Sequence, residues 1–300
     1  MMGFRVLQGG LFSTIQDLGR YGYTDIGITN SGAMDEYAYR WSQKLLNNIE
    51  GNALEIMVGL RLEVMIATEI AVCGADLSFK INNISKGIWQ THQIKRGDIL
   101  SFDKKISGER AYLAVKGGFK IEKWYNSYST TLKEGLGFRI KRGDILEFES
   151  HLSVDKRRVQ QRYIPIYPNS LTLRILLSYQ YGYFKDEEKD KFFSSSYEIT
   201  IASDRMGYRL KGEAILPKKG DIISEAIAFG SVQIPKDGQP IVLLKERQTI
   251  GGYPKIGTIL SIDCFKLSQL PIGSKVIFRE IGIEEAEKKM KDFYCEFYTL

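Results

Sequence analysis

Apolar residues in this chain recur largely at every second position, in short runs that glycines interrupt. Leu62, Val64 and Ile66 alternate with Arg61, Glu63 and Met65, the period of two that a strand with one buried face produces. Phe79-Lys80-Ile81 and Ile84-Ser85 flank Asn82-Asn83, and asparagine tolerates the positive φ that a tight hairpin turn demands. Tyr197–Ile201 reads as another strand and Ile241-Val242-Leu243-Leu244 as a buried one. Because such runs fill both halves, the fold expected is mainly β with a few helices rather than alternating βαβ units.

Two segments follow the helical period instead. Met34, Ala38, Trp41 and Leu45 form one apolar stripe, with Asp35 and Glu36 in the first turn and Arg40 and Lys44 toward the end, a charge order that suits the helix dipole. This helix is expected to lie against a sheet. A second, over about Ile283–Phe293, carries Glu284/Lys288, Glu285/Lys289 and Glu287/Lys291 at i,i+4, which predicts a solvated face.

Ile94-Lys95-Arg96-Gly97-Asp98-Ile99-Leu100 recurs unchanged at Ile140-Lys141-Arg142-Gly143-Asp144-Ile145-Leu146, each copy leading to a phenylalanine, Phe102 or Phe148. Gly-Asp signals a turn and Ile-Leu-x-Phe a strand, so the unit is a turn feeding a sheet. Two copies are too few for a solenoid. Phe4-Arg5-Val6-Leu7 also resembles Leu173-Arg174-Ile175-Leu176. With 300 residues, two related β domains are expected, at 1–155 and at 165–300 with the terminal helix. The basic stretch Lys156-Arg157-Arg158, with Arg162 nearby, reads as a solvated linker.

Composition removes several function classes. A net charge of +6 is spread among 36 acidic residues, and no nucleic-acid motif accompanies the basic stretch, so nucleic acid is not an expected partner. No signal-peptide pattern and no apolar run of membrane length occur, which makes the cytoplasm the expected location and a membrane not an expected partner. Cys73, Cys264 and Cys295 are far apart and outside any CxxC arrangement, so they are expected to be free. No GxxxxGK[ST], HExxH, GxSxG or strand-linked GxGxxG is present. With His92 and His151 the only histidines, chemistry falls to carboxylates, Arg, Lys, amides and backbone N–H groups.

Four segments concentrate such groups. Gln16-Asp17-Leu18-Gly19-Arg20 crowds an amide, a carboxylate and a guanidinium on one glycine turn, so that either an Asp17–Arg20 pair locks the turn or Arg20 grips an anion. Asn30-Ser31-Gly32-Ala33-Met34-Asp35 opens the first helix, where Ser31 acts as a cap or the free N–H groups receive a carboxylate or phosphate. In Ser203-Asp204-Arg205-Met206-Gly207-Tyr208-Arg209-Leu210, two arginines straddle a glycine. Glu246-Arg247-Gln248-Thr249-Ile250-Gly251-Gly252-Tyr253-Pro254 places an acid, a base, an amide and a hydroxyl before paired glycines that let a ligand approach backbone closely. That last loop is the expected substrate loop.

These segments, together with Gly238-Gln239-Pro240-Ile241-Val242-Leu243, resemble the ordered motif set of the allophanate hydrolase subunit 2 family, which takes in KipA and the C subunit of 5-oxoprolinase and is biotin-dependent-carboxyltransferase-like. The resemblance runs from about residue 5 to 286. It implies two cyclophilin-like β-barrel domains and a subunit that, with a B-like (KipI-type) partner and an A-like hydrolase, phosphorylates the lactam of 5-oxo-L-proline using ATP and Mg²⁺ for hydrolysis to glutamate. The same resemblance also implies the carboxyltransferase half of a urea or amide carboxylase, with biotin on a separate carrier, or a regulatory binding protein. On the 5-oxoprolinase reading the chain is inactive alone and one cleft gathers Arg20, Ser31, Asp35, Asp204, Arg205 and the 246–253 loop. Asp204 and Glu246 would place Mg²⁺ or move a proton, Arg205 and Arg247 would hold the anion, and Gln248 the amide, with Thr249, Gly251, Gly252 and Tyr253 binding substrate. Two positions depart from the family pattern: Glu246 stands where Asp is commoner, and Tyr128 where Arg is usual.

Overall fold

The period-two runs form strands that close on two separate cores in the computed structural model, which describes residues 2–49, 51–152, 156–218 and 220–298. Contacts divide the chain into one unit of Met1–Tyr21 and Ser31–Tyr167 and another of Gly22–Asn30 and Pro168–Leu300.

The first unit contains β1 (Gly3–Gly9), β2 (Ser13–Gln16), α1 (Glu36–Leu45), β3 (Ala53–Ile56), β4 (Leu60–Val64), β5 (Thr68–Asp76), β6 (Phe79–Ile81), β7 (Ile84–Ser85), β8 (Gln90–Ile94), β9 (Ile99–Phe102), β10 (Ser107–Val115) and β11 (Ile145–Glu147). They make a six-stranded sheet, β11-β1-β4-β9-β6-β7, and a five-stranded one, β2-β3-β10-β5-β8. Phe4, Leu62, Phe79 and Phe102 from the first sheet and Leu54, Ile56, Val72 and Leu113 from the second share one core. The hairpin at Asn82-Asn83 forms as expected, with φ of 53° and 64°. The apolar stripe of α1 is buried, as the pattern requires.

The second unit contains β12 (Ser170–Leu177), α2 (Asp186–Ser194), β13 (Tyr197–Ile199), β14 (Gly207–Lys211), β15 (Glu225–Ala226), β16 (Ser231–Gln233), β17 (Ile241–Leu243), β18 (Ile250–Gly251), β19 (Lys255–Ile259), α3 (Ser261–Leu267), β20 (Lys275–Glu280) and α4 (Ile283–Tyr298). Seven of the strands close a barrel in the order β12-β19-β16-β17-β14-β13-β20, which leaves those strands no free edge. β12 and β20 run parallel, and β15 and β18 form a separate two-stranded ribbon. Phe192 of α2 stacks on Phe278 with ring centroids 4.3 Å apart. On α4, the Glu285–Lys289 pair closes at 3.4 Å.

The structure corrects several local expectations. Helix α1 begins at Glu36, and Asp35 is its N-cap rather than part of its first turn, accepting from Ala38 N–H at 3.1 Å. The strand at Tyr197 ends at Ile199, and Ile201 is exposed. The basic stretch is no linker. Thr91 N–H donates to the Arg157 carbonyl and Val159 N–H to that of Trp89, both at 2.9 Å, and Val159 is buried. Residues 157–159 thus extend the sheet edge beside β8, because Val159 supplies the apolar anchor that a run of cations hides from a charge count. The units also differ from the contiguous bounds 1–155 and 165–300: residues 22–30 belong to the second, where Arg247 Nη2 donates to Asn30 Oδ1 at 2.9 Å. Residue 155 itself lies outside the described residues. Helices α2 and α3 escaped the pattern, since Asp186–Lys191 presents no apolar stripe and α3 has only seven residues.

The heptapeptide repeat is one device used twice. Asp98 Oδ2 accepts from Lys95 N–H at 2.8 Å and Asp144 Oδ2 from Lys141 N–H at 2.7 Å. Gly97 and Gly143 take φ of 89° and 95°. Each turn then docks on a neighbouring strand: Gly97 N–H to Val64 O and Val64 N–H to Asp98 O in one copy, Gly143 N–H to Val6 O and Val6 N–H to Asp144 O in the other. The repeat therefore sets the register of β9 beside β4 and of β11 beside β1. Asp98→Ala and Asp144→Ala are each expected to cost about 1–2 kcal/mol, and Gly97→Ala a similar ~1–2 kcal/mol because a Cβ disfavours that left-handed backbone. Urea unfolding of the single variants measures this, and midpoints equal to the parent would refute it.

Candidate functional site

In the first unit, Asp17 and Arg20 face the segment 124–131. Asp17 Oδ1 accepts from Gly19 N–H and from the Ser127 hydroxyl, both at 2.7 Å, and also from the Ser129 hydroxyl, while Oδ2 accepts from Tyr128 N–H at 2.7 Å. Arg20, 2% exposed, donates from Nη1 to the Thr131 hydroxyl at 2.8 Å, from Nη2 to the Ser129 carbonyl and from Nε to the Trp124 carbonyl. These bonds of Arg20, with those of Asp17, tie the turn to a segment more than a hundred residues away. Ser31 is fully buried, with φ of 51°, and donates to the Thr130 carbonyl at 3.1 Å. Gly32 follows at φ 107°, and a Cβ there would lie 2.9 Å from the Leu18 carbonyl. Tyr128 has the Lys123 ammonium over its ring at 4.9 Å, so a cation stands beside the position that lacks the usual Arg.

Asp35 enters a buried network that the sequence did not disclose. Its N–H donates to the Tyr112 hydroxyl at 2.8 Å, Tyr112 donates to Glu55 Oε2 at 2.7 Å, and Met34 N–H donates to the same oxygen at 2.9 Å. Arg110 Nε lies 3.7 Å from Glu55 Oε1, and the Tyr167 hydroxyl donates to Asp35 Oδ2 at 3.0 Å. Burial pushes both phenols well above the usual tyrosine range, and for Tyr112 the carboxylates of Glu55 and Asp35, for Tyr167 that of Asp35, push further the same way. Each phenol therefore stays neutral and can keep donating.

In the second unit, Asp204 is exposed and caps its own turn, Oδ1 accepting from Met206 N–H at 2.8 Å. Arg205 and Glu246 form a buried pair, Nε to Oε1 at 2.5 Å, with side chains 7% and 9% exposed. Glu246 N–H also donates to the Arg205 carbonyl at 2.9 Å, so the 204 turn and the 246–253 loop are joined twice. Arg247 donates to the carbonyls of Ile227 and Leu244. Gln248 and Tyr253 are exposed and Thr249 is half-buried, its carbonyl accepting from Ile227 N–H. A Cβ on Gly251 would lie 2.5 Å from Ile227 Cδ1 and 2.7 Å from Gln233 Nε2, and one on Gly252 3.1 Å from the Ile222 carbonyl. The paired glycines thus admit the 222–227 segment and the residue beneath it.

Residues that sequence motifs did not single out complete this region. Glu225 accepts from Lys255 Nζ, from the Tyr179 hydroxyl and from Gln180 Nε2, the last at 2.6 Å. Lys255 first, then Tyr179, hold the Glu225 carboxyl below the usual glutamate range. Lys245, 5% exposed, sits over the rings of Phe229 and Phe265 at 4.9 and 5.4 Å. For Lys245 and Lys255 the available signal was a lysine inside or beside an otherwise apolar strand. For Glu55 it was an acid between Leu54 and Ile56, a position that a strand buried on both faces makes costly unless paired. Among the described residues no group of three or more His, Cys, Asp or Glu is placed to hold a metal, and no helix is long and apolar enough to cross a membrane.

A unit of two open sheets on one core and a unit closed as a seven-stranded barrel, rather than two barrels, with loops offering guanidinium, carboxylate and amide groups, make a β-rich protein of the carboxyltransferase-domain class. The family model described as carboxyltransferase domain, subdomain A and B, matches residues 26–280, and the chain belongs to that family. It is similar to the 5-oxoprolinase C subunit of Escherichia coli strain K12, 34% identical over 298 residues that cover 96% of this chain and 94% of the relative. The 5-oxoprolinase C subunit of Haemophilus influenzae is 34% identical over 281 residues, covering 92% and 90%. Among solved structures, the urea amidolyase of K. lactis matches with a TM-score of 0.91 at 25% identity; the match covers 98% of this chain and 20% of that chain.

Removing one partner of a buried ion pair leaves the other charge stranded. Arg205→Met and Glu246→Leu should each destabilise the chain by roughly 3–5 kcal/mol, whereas the double variant should regain most of the loss. A double-mutant cycle from guanidinium unfolding reads this directly, and additive losses would show that the two side chains do not pair. For Glu225, a depressed carboxyl adds stability that is present above its unfolded value and lost as pH falls through the lower, folded value. Acid unfolding of the parent and of Glu225→Gln should accordingly converge below the usual glutamate range, and a constant gap down to the lowest pH would contradict it.

Proposed function

We propose that this chain is the C subunit of a heteromeric 5-oxoprolinase, acting with a B-like and an A-like partner to open 5-oxo-L-proline to glutamate at the expense of ATP. The observation that carries the reading is the end-to-end similarity to two 5-oxoprolinase C subunits, which covers nine-tenths or more of both partners in each comparison. The chemistry of the loops supports it. Lactam activation calls for hydrogen-bond donors toward an amide oxygen and cations toward a phosphoryl group, and none of this needs histidine. Within the substrate loop, Gln248, Thr249 and Tyr253 present amide and hydroxyl groups at or near the surface, and Arg247 is held behind them by backbone carbonyls. Arg205 and Glu246 brace that loop, and Asp204 shapes the turn that leads into it.

ATP and Mg²⁺ belong to the proposal at the level of the assembled complex. Glu246 is engaged by Arg205 and Asp204 Oδ1 by its own turn, so the described part of this chain supplies cations and amides rather than a carboxylate cage for a divalent ion. Magnesium would offset phosphoryl charge there. The similarity to the K. lactis urea amidolyase favours a second reading, the carboxyltransferase half of a urea or amide carboxylase that uses biotin carried by another chain.

The experiment is to purify the chain with its B-like neighbour and follow ADP formation. Turnover that depends on 5-oxo-L-proline, absent from the isolated chain, is expected, and Gln248→Ala should lower it by about 10²-fold if the amide acts in the transition state. A complex that ignores 5-oxo-L-proline but carboxylates urea from a biotinylated carrier would replace this reading with the second.

A further inference from the structure

Gln233, at the end of β16 in the barrel wall, is 5% exposed, and its Nε2 has no hydrogen-bond partner among the described residues. An unpaired amide donor in such a place costs free energy that a folded protein rarely forgoes without a use. Its surroundings indicate one. Gln233 pairs across the ladder with Lys255 of β19, and residues directly opposite in an antiparallel ladder project their side chains from the same face. The ammonium of Lys255, on a side chain 10% exposed, points to Glu225 and to the Ala226 carbonyl. Two donors, one of them cationic, therefore lie side by side.

The β15–β18 ribbon lies over them. A Cβ on Gly251 would come within 2.7 Å of Gln233 Nε2, so glycine at this position lets the ribbon settle close over that amide. The ribbon is held by two residue pairs, Glu225–Gly251 and Ala226–Ile250, by the flanking bonds Ile222 N–H to Gly252 O and Ile227 N–H to Thr249 O, by the bonds of Lys255, Tyr179 and Gln180 to Glu225, and by Ile227, which follows it and is buried against Ile241 and Leu243. Ile223, just before it, and Ile250, within it, are 92% and 60% exposed. With Ile227 as its apolar anchor and Glu225 as its polar one, this two-stranded piece has fewer ties than the closed barrel beneath it, so replacing the Glu225 contacts lets it open ahead of the barrel.

We propose that Gln233 and Lys255 form a carboxylate-binding pair beneath this ribbon, which lifts to admit a small amide acid whose carboxylate takes the place of Glu225. The ligand oxygen receives Lys255 Nζ–H in place of the glutamate and Gln233 Nε2–H, which has no partner in the closed state. Glu225 thus serves as the resident anion of the free chain, and the ribbon couples its departure to ligand entry. This rests on the reading of the chain as a subunit acting on 5-oxo-L-proline, and it assigns the recognition of that molecule's carboxylate, as distinct from its lactam.

Binding calorimetry on the full-length chain, alone and with its B-like partner, tests this with 5-oxo-L-proline, with N-acetylglycine as an acyclic amide acid, and with 2-pyrrolidinone, which lacks the carboxylate. Gln233→Met should weaken both acids by about tenfold or more, leave the thermal midpoint equal or higher, and treat 2-pyrrolidinone as the parent does. Lys255→Gln, which retains a donor toward Glu225, should weaken the acids at least as much. Parent-like affinity of either variant for the acids, or no binding of either acid by the parent protein, overturns the proposal. If those results come with intact 5-oxo-L-proline-dependent ADP formation, only the carboxylate pair fails. If the acids bind in a Gln233-dependent way but ADP formation ignores 5-oxo-L-proline, the carboxylate pair stands and the 5-oxoprolinase reading fails.

Discussion

A buried guanidinium must be met by acceptors wherever the chain can supply them, and the loop architecture of the first unit depends on how Arg20 meets that demand. With 2% of its surface exposed, Arg20 draws the Trp124 and Ser129 carbonyls and the Thr131 hydroxyl toward itself. Asp17 captures Ser127, Tyr128 and Ser129 from the other end of the same turn. Ser31 then binds the Thr130 carbonyl, so three polar residues from two glycine-containing segments hold one loop. Without these bonds Ser127, Ser129, Thr130 and Thr131, the buried part of the stretch, would carry unpaired polar backbone into a region that water does not reach.

The second unit meets the same demand with a charge pair. Arg205 and Glu246 neutralise each other between the 204 turn and the 246–253 loop, and losing either partner would strand the other charge. Groups that face solvent, Gln248 and Tyr253 among them, stand on a loop whose base is fixed, and a rigid base lets a few exposed donors act at defined positions. The β15–β18 ribbon takes Ile250 and Gly251 from this same loop, so the loop runs from a base fixed by the Arg205–Glu246 pair into a ribbon of two residue pairs.

Several features were legible in the residues alone, because they depend on neighbours in sequence. Side-chain alternation at Leu62 and Val64, the positive φ of Asn82-Asn83, the stripe of α1 and the repeated Gly-Asp turns all arise from local backbone preference and from one buried face. The β-rich class followed from them. The motif segments were legible as places of dense polar chemistry, and their order matched a family.

Which partner each polar group takes was decided by tertiary structure. Arg20 reads identically whether it grips an anion or the Ser129 carbonyl, and Glu246 whether it moves a proton or pairs with Arg205 from 41 positions away. Gly251 and Gly252 announce a close approach but not that the approaching group is the segment at 222–227. Lys255 and Gln233 attracted no notice in the sequence, since strand pairing alone sets them side by side. The physical reason is the same in each case. Local propensity is a property of a few consecutive residues, whereas the free energy of a buried charge or amide depends on acceptors that only chain closure brings within about 3 Å, and no spacing along the sequence encodes that distance.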